Sequence, residues 1–455
     1  MSWQEVAPGQ YQRPFDTTER VHRAMAGSAA HLGKQHYLVS SAVQFKDSLS
    51  TSDIQRAWTA LRHKHPHIAA VADDSGSYLQ YTVPTPSALE DQTQQTCVAH
   101  PITEARSAEM LESDLDPTDL FMLHYLPRSK ELLFRAPHWR TDGRGMLLLQ
   151  HEFLTLLADG SVAADFDGSE ALRLTPSLDQ AAGFSTEVTP EMGAASDAVL
   201  SVLFTGSTPA SLKERLPAST PTRPRRAGLS LPRDVTADLI SASKARGQSV
   251  TATAHAALVM TTRKHVDIDE GCIMAFNPFD VRDRLPAPWN SAAGCGTVYH
   301  TGKPCIVDFN NNYNTVQYPD FDTVAMQLST FYSEDLQPLF SHIVDYHRKI
   351  GDIIAMPLEV VMTMPGAARP ELSSLGIIDR FLHTSYTGSA GVFEVEDWWL
   401  GVQMFNCMLE MYLWTRDGRM QLGCSYNEAF YTPDFIQTFL GEWKGALMRG
   451  LGIEK

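Results

Sequence analysis

The sequence predicts a mixed α/β protein built as two lobes with a functional site between them. Three observations carry that expectation. Strand and helix signals alternate in both halves of the chain, the pattern of a layered α/β architecture. A stretch rich in Pro, Ser and Thr, GSTPASLKERLPASTPTRPRRAG over 206–228, divides the 455 residues into parts of similar size. The motif with most chemical content, His138 followed by Asp142 and Gly143, stands just past a strand end, where a ring can face a cleft. The expected organisation is an N-terminal lobe over 1–205, a linker over 206–228 and a C-terminal lobe over 229–455.

The elements follow in order. Tyr37 to Phe45 alternate and are rich in β-branched residues, a strand. Ser50 to Ser52 offer N-caps, and Ile54, Ala57, Trp58 and Leu61 recur at helical spacing up to Pro66. Ile68 to Val71 form a second strand, and Asp73 to Gly76 turn into a third over Tyr78 to Val83. Leu132 to Ala136 are a short strand closed by Pro137, HWRTDGRG is a loop, and MLLLQHEFLTLLADG is a helix stopped at Gly160. After the linker, a helix runs from near Pro232 to Gly247, and another is capped near Ser249 or Thr251. Cys272 to Phe276 are an apolar strand. MYLWTRDGRMQLGCSY is a hairpin on Asp417-Gly418, and Thr432-Pro433 start a last helix.

Bulk properties exclude several classes. The net charge of -16 argues against a nucleic-acid partner, and any anionic ligand needs a local basic patch. No apolar run reaches the ~18–20 residues needed to span a bilayer, so no membrane insertion is expected. The N-terminus lacks the apolar core of a signal peptide. Six cysteines, none in CxxC spacing, are expected to be reduced and mostly buried, which points to the cytoplasm. There is no GxSxG elbow, Walker loop or GxGxxG.

The His138–Asp142 spacing has a physical logic. A neutral imidazole can take a proton from a hydroxyl or amine and return it to a leaving group. An Asp that points away and pairs with an Arg fixes the loop presenting the His. Gly143 is expected to allow a tight turn into the helix. His63, His65 and His67 invite a metal site, but Pro66 interrupts them; a solvated helix end is the expectation, and no metal site is assigned. His151 and His255 are expected to be packing residues, and Trp398 and Trp399 core aromatics.

PHWRTDGRGMLLL resembles the active-site motif of the fungal trichothecene 15-O-acetyltransferase group. That group belongs to the HxxxD-type superfamily, with the BAHD acyltransferases, chloramphenicol acetyltransferase and the condensation domains of peptide synthetases. LRHKHPHIAAV, NPFDVRDRLPAPWNSAAGCG, HTSYTG with DWWLG, and LWTRDGRMQLGCSYNEAFY are similar to further family segments in the same order. DWWLG departs from the family pattern and keeps only Asp397 and Gly401.

The resemblance implies two chloramphenicol-acetyltransferase-like lobes in one chain with an interlobe tunnel. It implies a CoA-dependent O-acyltransferase, acetyl or short acyl, acting on a hydroxyl of a fungal secondary metabolite. His138 would be the general base. Asp142 would be structural and paired across the lobes with Arg282, or failing that Arg284. Thr384 or Ser385 would supply a hydroxyl to the developing oxyanion. Acyl-CoA would be a co-substrate with no permanently bound cofactor. Arg223, Arg225 and Arg226, the main basic cluster of the sequence, are either charge-assisted donors to its phosphates or part of a solvated linker. The partners would be an acceptor alcohol and acyl-CoA, and the chain a monomer. The same cleft could instead serve a CoA-independent condensation, cyclisation or isomerisation, so that alternative stays open.

Overall fold

Apolar alternation builds the centre of the molecule, a six-stranded sheet whose inner strands are buried on both faces. In the computed structural model, which describes residues 2–163, 165–204, 207–266, 271–308 and 320–453, its order is Ser385–Gly388, Gly391–Val402, Val39–Phe45, Glu131–Ala136, Met122–Leu126 and Cys97–Ala99. All pairs are antiparallel except the last. Helices Thr51–Lys64 and Gly143–Ala158 cover one face. Their apolar stripes put Trp58, Leu61, Leu147 and Phe153 against Phe134 and Val43. Ser50 caps the first helix and Asp142 the second.

A second, four-stranded sheet runs Pro370–Ile377, Leu409–Arg416, Arg419–Asn427 and Pro224–Ser230. Its hairpin turns on Asp417 and Gly418, both at positive φ, as the Asp-Gly pair foretells. Helices Val250–Lys264 and Pro433–Gly450 pack on it through Leu258, Phe439, Leu440 and Trp443. Ser249 and Thr432 are their caps. Cys272–Asp280 and His300–Asp308 pair as a separate antiparallel ribbon.

The sheets do not divide where the chain does. Gly391–Val402, from the second half, pairs with Val39–Phe45 of the first, with Trp398 opposite Val43 and Leu400 opposite Ser41. DWWLG is thus the strand that crosses between halves. The sheets approach closely at Gly401, where a Cβ would sit 2.9 Å from Ser425 Oγ of the second sheet.

The segment expected as a linker over 206–228 is not a free spacer. Its first boundary, 205–206, lies outside the described residues. Farther on, Ala210 and Leu212 are buried, and their N–H groups bond to the carbonyls of Cys272 and Ala368. Its end is already strand from Pro224. Pro, Ser and Thr content hid these anchors, since a strap held by main-chain bonds needs few large apolar side chains. Ile68 also departs from expectation. Pro66–Ala69 is a 3-10 turn, and only Val71–Ala72 is strand, because Pro66 starts a tight turn. Among the described residues no helix is long and apolar enough to cross a membrane, and all six cysteines are free and buried.

Candidate functional site

The strand Glu131–Ala136 ends at Pro137, and the turn that follows carries the motif to the junction of the two halves. His138 is half-buried there. Its ring stacks at 4.5 Å on His22, from the helix Thr17–Gly27, and at 5.3 Å on His300, at the start of the ribbon strand. His22 and His300 are joined Nε2 to Nε2 at 3.0 Å. His22 Nδ1 bonds to the Thr18 carbonyl at 2.9 Å, so it must carry the proton. His22 Nε2 is then the acceptor and His300 Nε2–H the donor. Behind them His347 is held by Thr18 at Nδ1 (2.8 Å) and Thr301 at Nε2 (2.9 Å).

This array sets the charge state. Burial, and then the neighbouring His300, lower the His138 pKa from 6.5 to about 4. Burial likewise lowers His22 and His300 to about 3. At neutral pH the imidazoles are uncharged and His138 is free to accept a proton. The nitrogens of His22, His138 and His300 lie within 4.8 Å and could hold an ion, but the His22–His300 hydrogen bond already satisfies two of them.

Asp142 turns away from His138. Its backbone is extended, and its carboxylate accepts from Gly145 N at 2.7 Å, capping the helix. It also accepts from Tyr299 N at 2.8 Å and, on both oxygens, from Arg282 Nη1 at 3.0 Å. Burial alone would raise this carboxyl. The Arg282 charge and the two N–H groups overcome that and hold it at about 2. Arg282 is itself buried and reaches the carbonyls of Gly294 and Thr297 and the carboxylate of Asp280. Arg284, the second candidate, is instead half exposed and pairs with Asp335 at 2.9 Å.

Gly143 is the first residue of the helix, directly after the cap Asp142. The tight position is Gly145, where a Cβ would lie 2.5 Å from the Cys295 carbonyl oxygen and 2.7 Å from Thr141 Oγ1. Thr384 and Ser385 are not brought to His138. Both are exposed at the edge of the six-stranded sheet, and the adjoining Tyr386 hydroxyl meets His151, eight residues along the helix from Gly143 and so about 12 Å from its start. A hydroxyl-bearing strand was a sound signal, but its register sends it past the site. Arg223, Arg225 and Arg226 are not a free cationic cluster. They pair with Asp114, Glu428 and Glu109 respectively. Arg226 also stacks over Trp399 and lines a cavity of about 350 Å³ between the two main sheets, whose walls include Ser40, Gly401 and Ser425. His138 is not among the residues lining it.

His22, His300, His347 and Tyr37 were not singled out in the sequence. Three histidines come from elements far apart in the chain, so no local spacing marks them. Tyr37 has φ 58, a strained value for a large side chain, and its ring lies 6.3 Å from that of His138. His65 and His67 are buried, contrary to the expected solvated helix end, because the turn at Pro66 folds them inward. His255 packs inside against Tyr332, and half-buried His151 bonds to the Tyr386 hydroxyl.

No family model matches the chain. It is 27% identical to the acetyltransferase pigO of Monascus ruber, over the whole of this chain and 99% of that protein. It is 26% identical to the O-acetyltransferase pigM of the same fungus, over the whole chain and 88% of that protein. Its fold matches the TRI3 trichothecene 15-O-acetyltransferase of Fusarium sporotrichioides with a TM-score of 0.79 at 18% identity, covering 99% of this chain and 98% of that one. The two-lobed α/β class expected from the alternating elements holds, and the chain is similar to fungal acetyltransferases as its motifs imply.

Proposed function

We propose that this chain is an HxxxD-type acyltransferase that moves an acetyl or other short acyl group from a CoA thioester to a hydroxyl of a fungal secondary metabolite, with His138 as general base, a reading that its similarity to fungal acetyltransferases supports. The observation that carries the proposal is the division of labour at the motif. His138 is neutral and half-buried between two imidazoles, while Asp142 is drawn away into a buried pair with Arg282. A base held neutral at working pH is what proton abstraction from an alcohol requires.

In this reading His138 takes the hydroxyl proton as the oxygen attacks the thioester carbonyl. The tetrahedral intermediate collapses, the C–S bond breaks, and the proton passes from the imidazolium to the leaving thiolate. Asp142 touches neither substrate. It is a positioning residue that ties the loop and the helix start to Arg282 in the second half. Holding both substrates together makes the step effectively unimolecular. The six free thiols suit a reducing compartment, and the proposal takes the enzyme as cytoplasmic and monomeric. The experiment is a mass-spectrometric screen of the protein with acetyl-CoA and hydroxylated polyketides, terpenoids and alkaloids. The expected product is heavier by one acyl group and appears only with the thioester. Full turnover of an acceptor with no thioester present would replace this reading by the condensation, cyclisation or isomerisation alternative.

A further inference from the structure

We propose that His65, His67 and Cys295 form a binding site for a zinc-class transition-metal ion, buried beside the Asp142–Arg282 pair and separate from the three-histidine array around His138. His65 ends the helix Thr51–Lys64, and the 3-10 turn Pro66–Ala69 brings His67 back toward it. Cys295 follows the short 3-10 turn Ala292–Gly294 in the second half. All three side chains are buried, and their donor atoms lie within 4.8 Å of one another.

One donor pair already stands at the spacing an ion would set. His65 Nδ1 stands 3.6 Å from Cys295 Sγ. Zinc bonds of ~2.3 Å to sulfur and ~2.0–2.1 Å to nitrogen, at a tetrahedral angle, place the two donors about 3.6 Å apart. The outward nitrogens are fixed as metal-bound imidazoles usually are. His65 Nε2 meets Glu152 Oε2 at 3.3 Å, and His67 Nδ1 meets Thr175 Oγ1 at 2.6 Å. That leaves His67 Nε2 aimed inward. It is buried and has no hydrogen-bond partner among the described residues, a costly state that a ligand would relieve. Gly296 leaves room for this, since a Cβ there would overlap His67 Nε2 at 2.0 Å. One nitrogen from each histidine and a thiolate make a borderline-soft set, and a water or small anion would complete the tetrahedron. On binding, the Cys295 thiol loses its proton to solvent.

The position gives the ion a structural consequence. The loop bearing Cys295 also offers the carbonyls of Gly294 and Thr297 to Arg282, and that of Cys295 to Thr141. An ion here would tie the turn at Pro66 to that loop, and so hold the two halves together behind the motif.

The test uses the full chain, stripped with a chelator and titrated with Co²⁺ and then Zn²⁺. The expected result is one equivalent bound with a thiolate-to-cobalt charge-transfer band, displaced by Zn²⁺, and a higher thermal midpoint on Zn²⁺ loading. Cys295→Ser and His67→Gln, each checked for folding by circular dichroism, should lose the band and the shift in midpoint. The wild-type titration decides the matter even if a variant fails to fold. Absence of binding, or cobalt bound without a thiolate band as in the His22–His138–His300 array, would overturn the proposal. So would an undiminished band in folded Cys295→Ser.

Discussion

Replacing Asp142 by Asn removes one charge and almost no volume, and the structure allows its cost to be worked in two ways. Asn imitates the protonated carboxyl. Although burial raises the carboxyl, Arg282 and the N–H groups of Gly145 and Tyr299 hold it at about 2 against an ordinary 3.8. That difference of roughly two pH units is worth about 2–3 kcal/mol in favour of the charged folded form. Because the folded pKa is depressed, this stabilisation is present above pH ~4 and lost as pH falls toward 2. The second estimate starts from Arg282. Breaking a buried ion pair costs about 3–5 kcal/mol, and Arg282 keeps Asp280, Gly294 and Thr297 as partners, which favours the lower end. Both routes give about 3 kcal/mol. Urea unfolding at pH 7 should show a lower midpoint with an unchanged slope. Turnover per folded molecule should fall far less than in a His138 variant. A loss under about 0.5 kcal/mol, within the range of ordinary surface changes, would refute the pairing argument. Turnover as low as that of His138→Ala in a stable protein would place Asp142 in the reaction itself.

Three further outcomes follow from the same geometry. Turnover should stay level from neutral pH downward and drop only as pH approaches about 4, and stability, full above the ordinary imidazole pKa of ~6.5, should erode over the same descent because the folded imidazoles resist protonation; half-maximal activity near 6.5 would contradict this. Gly145→Ala should destabilise by about 2 kcal/mol in denaturant titration, since its methyl group would press on the Cys295 carbonyl, and a neutral result would show that the helix start has slack. Arg284→Ala and Thr384→Ala, both at exposed positions, should leave stability within about 0.5 kcal/mol and turnover within about twofold; a large loss in either would mean that the wrong Arg or the wrong strand has been assigned.

What could be read from the residues, and what could not, has a physical pattern. Features encoded locally were legible. The caps at Ser50, Ser249 and Thr432, the Asp417-Gly418 hairpin and the helix after Asp142 rest on short-range chemistry. The position of Arg282 beside Asp142 came through the family resemblance, since 140 residues separate them and no spacing rule spans that distance. The strand exchange of Gly391–Val402 was hidden because its alternation fits either sheet. The histidines at 22, 300 and 347 were hidden because each alone is an ordinary half-apolar side chain, and only tertiary packing stacks the first two on His138 and sets His347 behind them. The acids that pair with the basic run at 223–226 were hidden because they come from segments far away in the chain or carry no spacing signal.

The central claim is that His138 is the proton acceptor in acyl transfer, and thiol release tests it most directly. Wild-type protein and His138→Ala are compared with acetyl-CoA and an accepted alcohol, following free CoA with a chromogenic disulfide, with rates normalised to folded protein by a melting curve. The account predicts a fall of about two to four powers of ten, with substrate affinity little changed because the imidazole acts on the proton in the transition state. Normalised turnover close to wild type would contradict it and leave His138 as no more than a packed ring between His22 and His300.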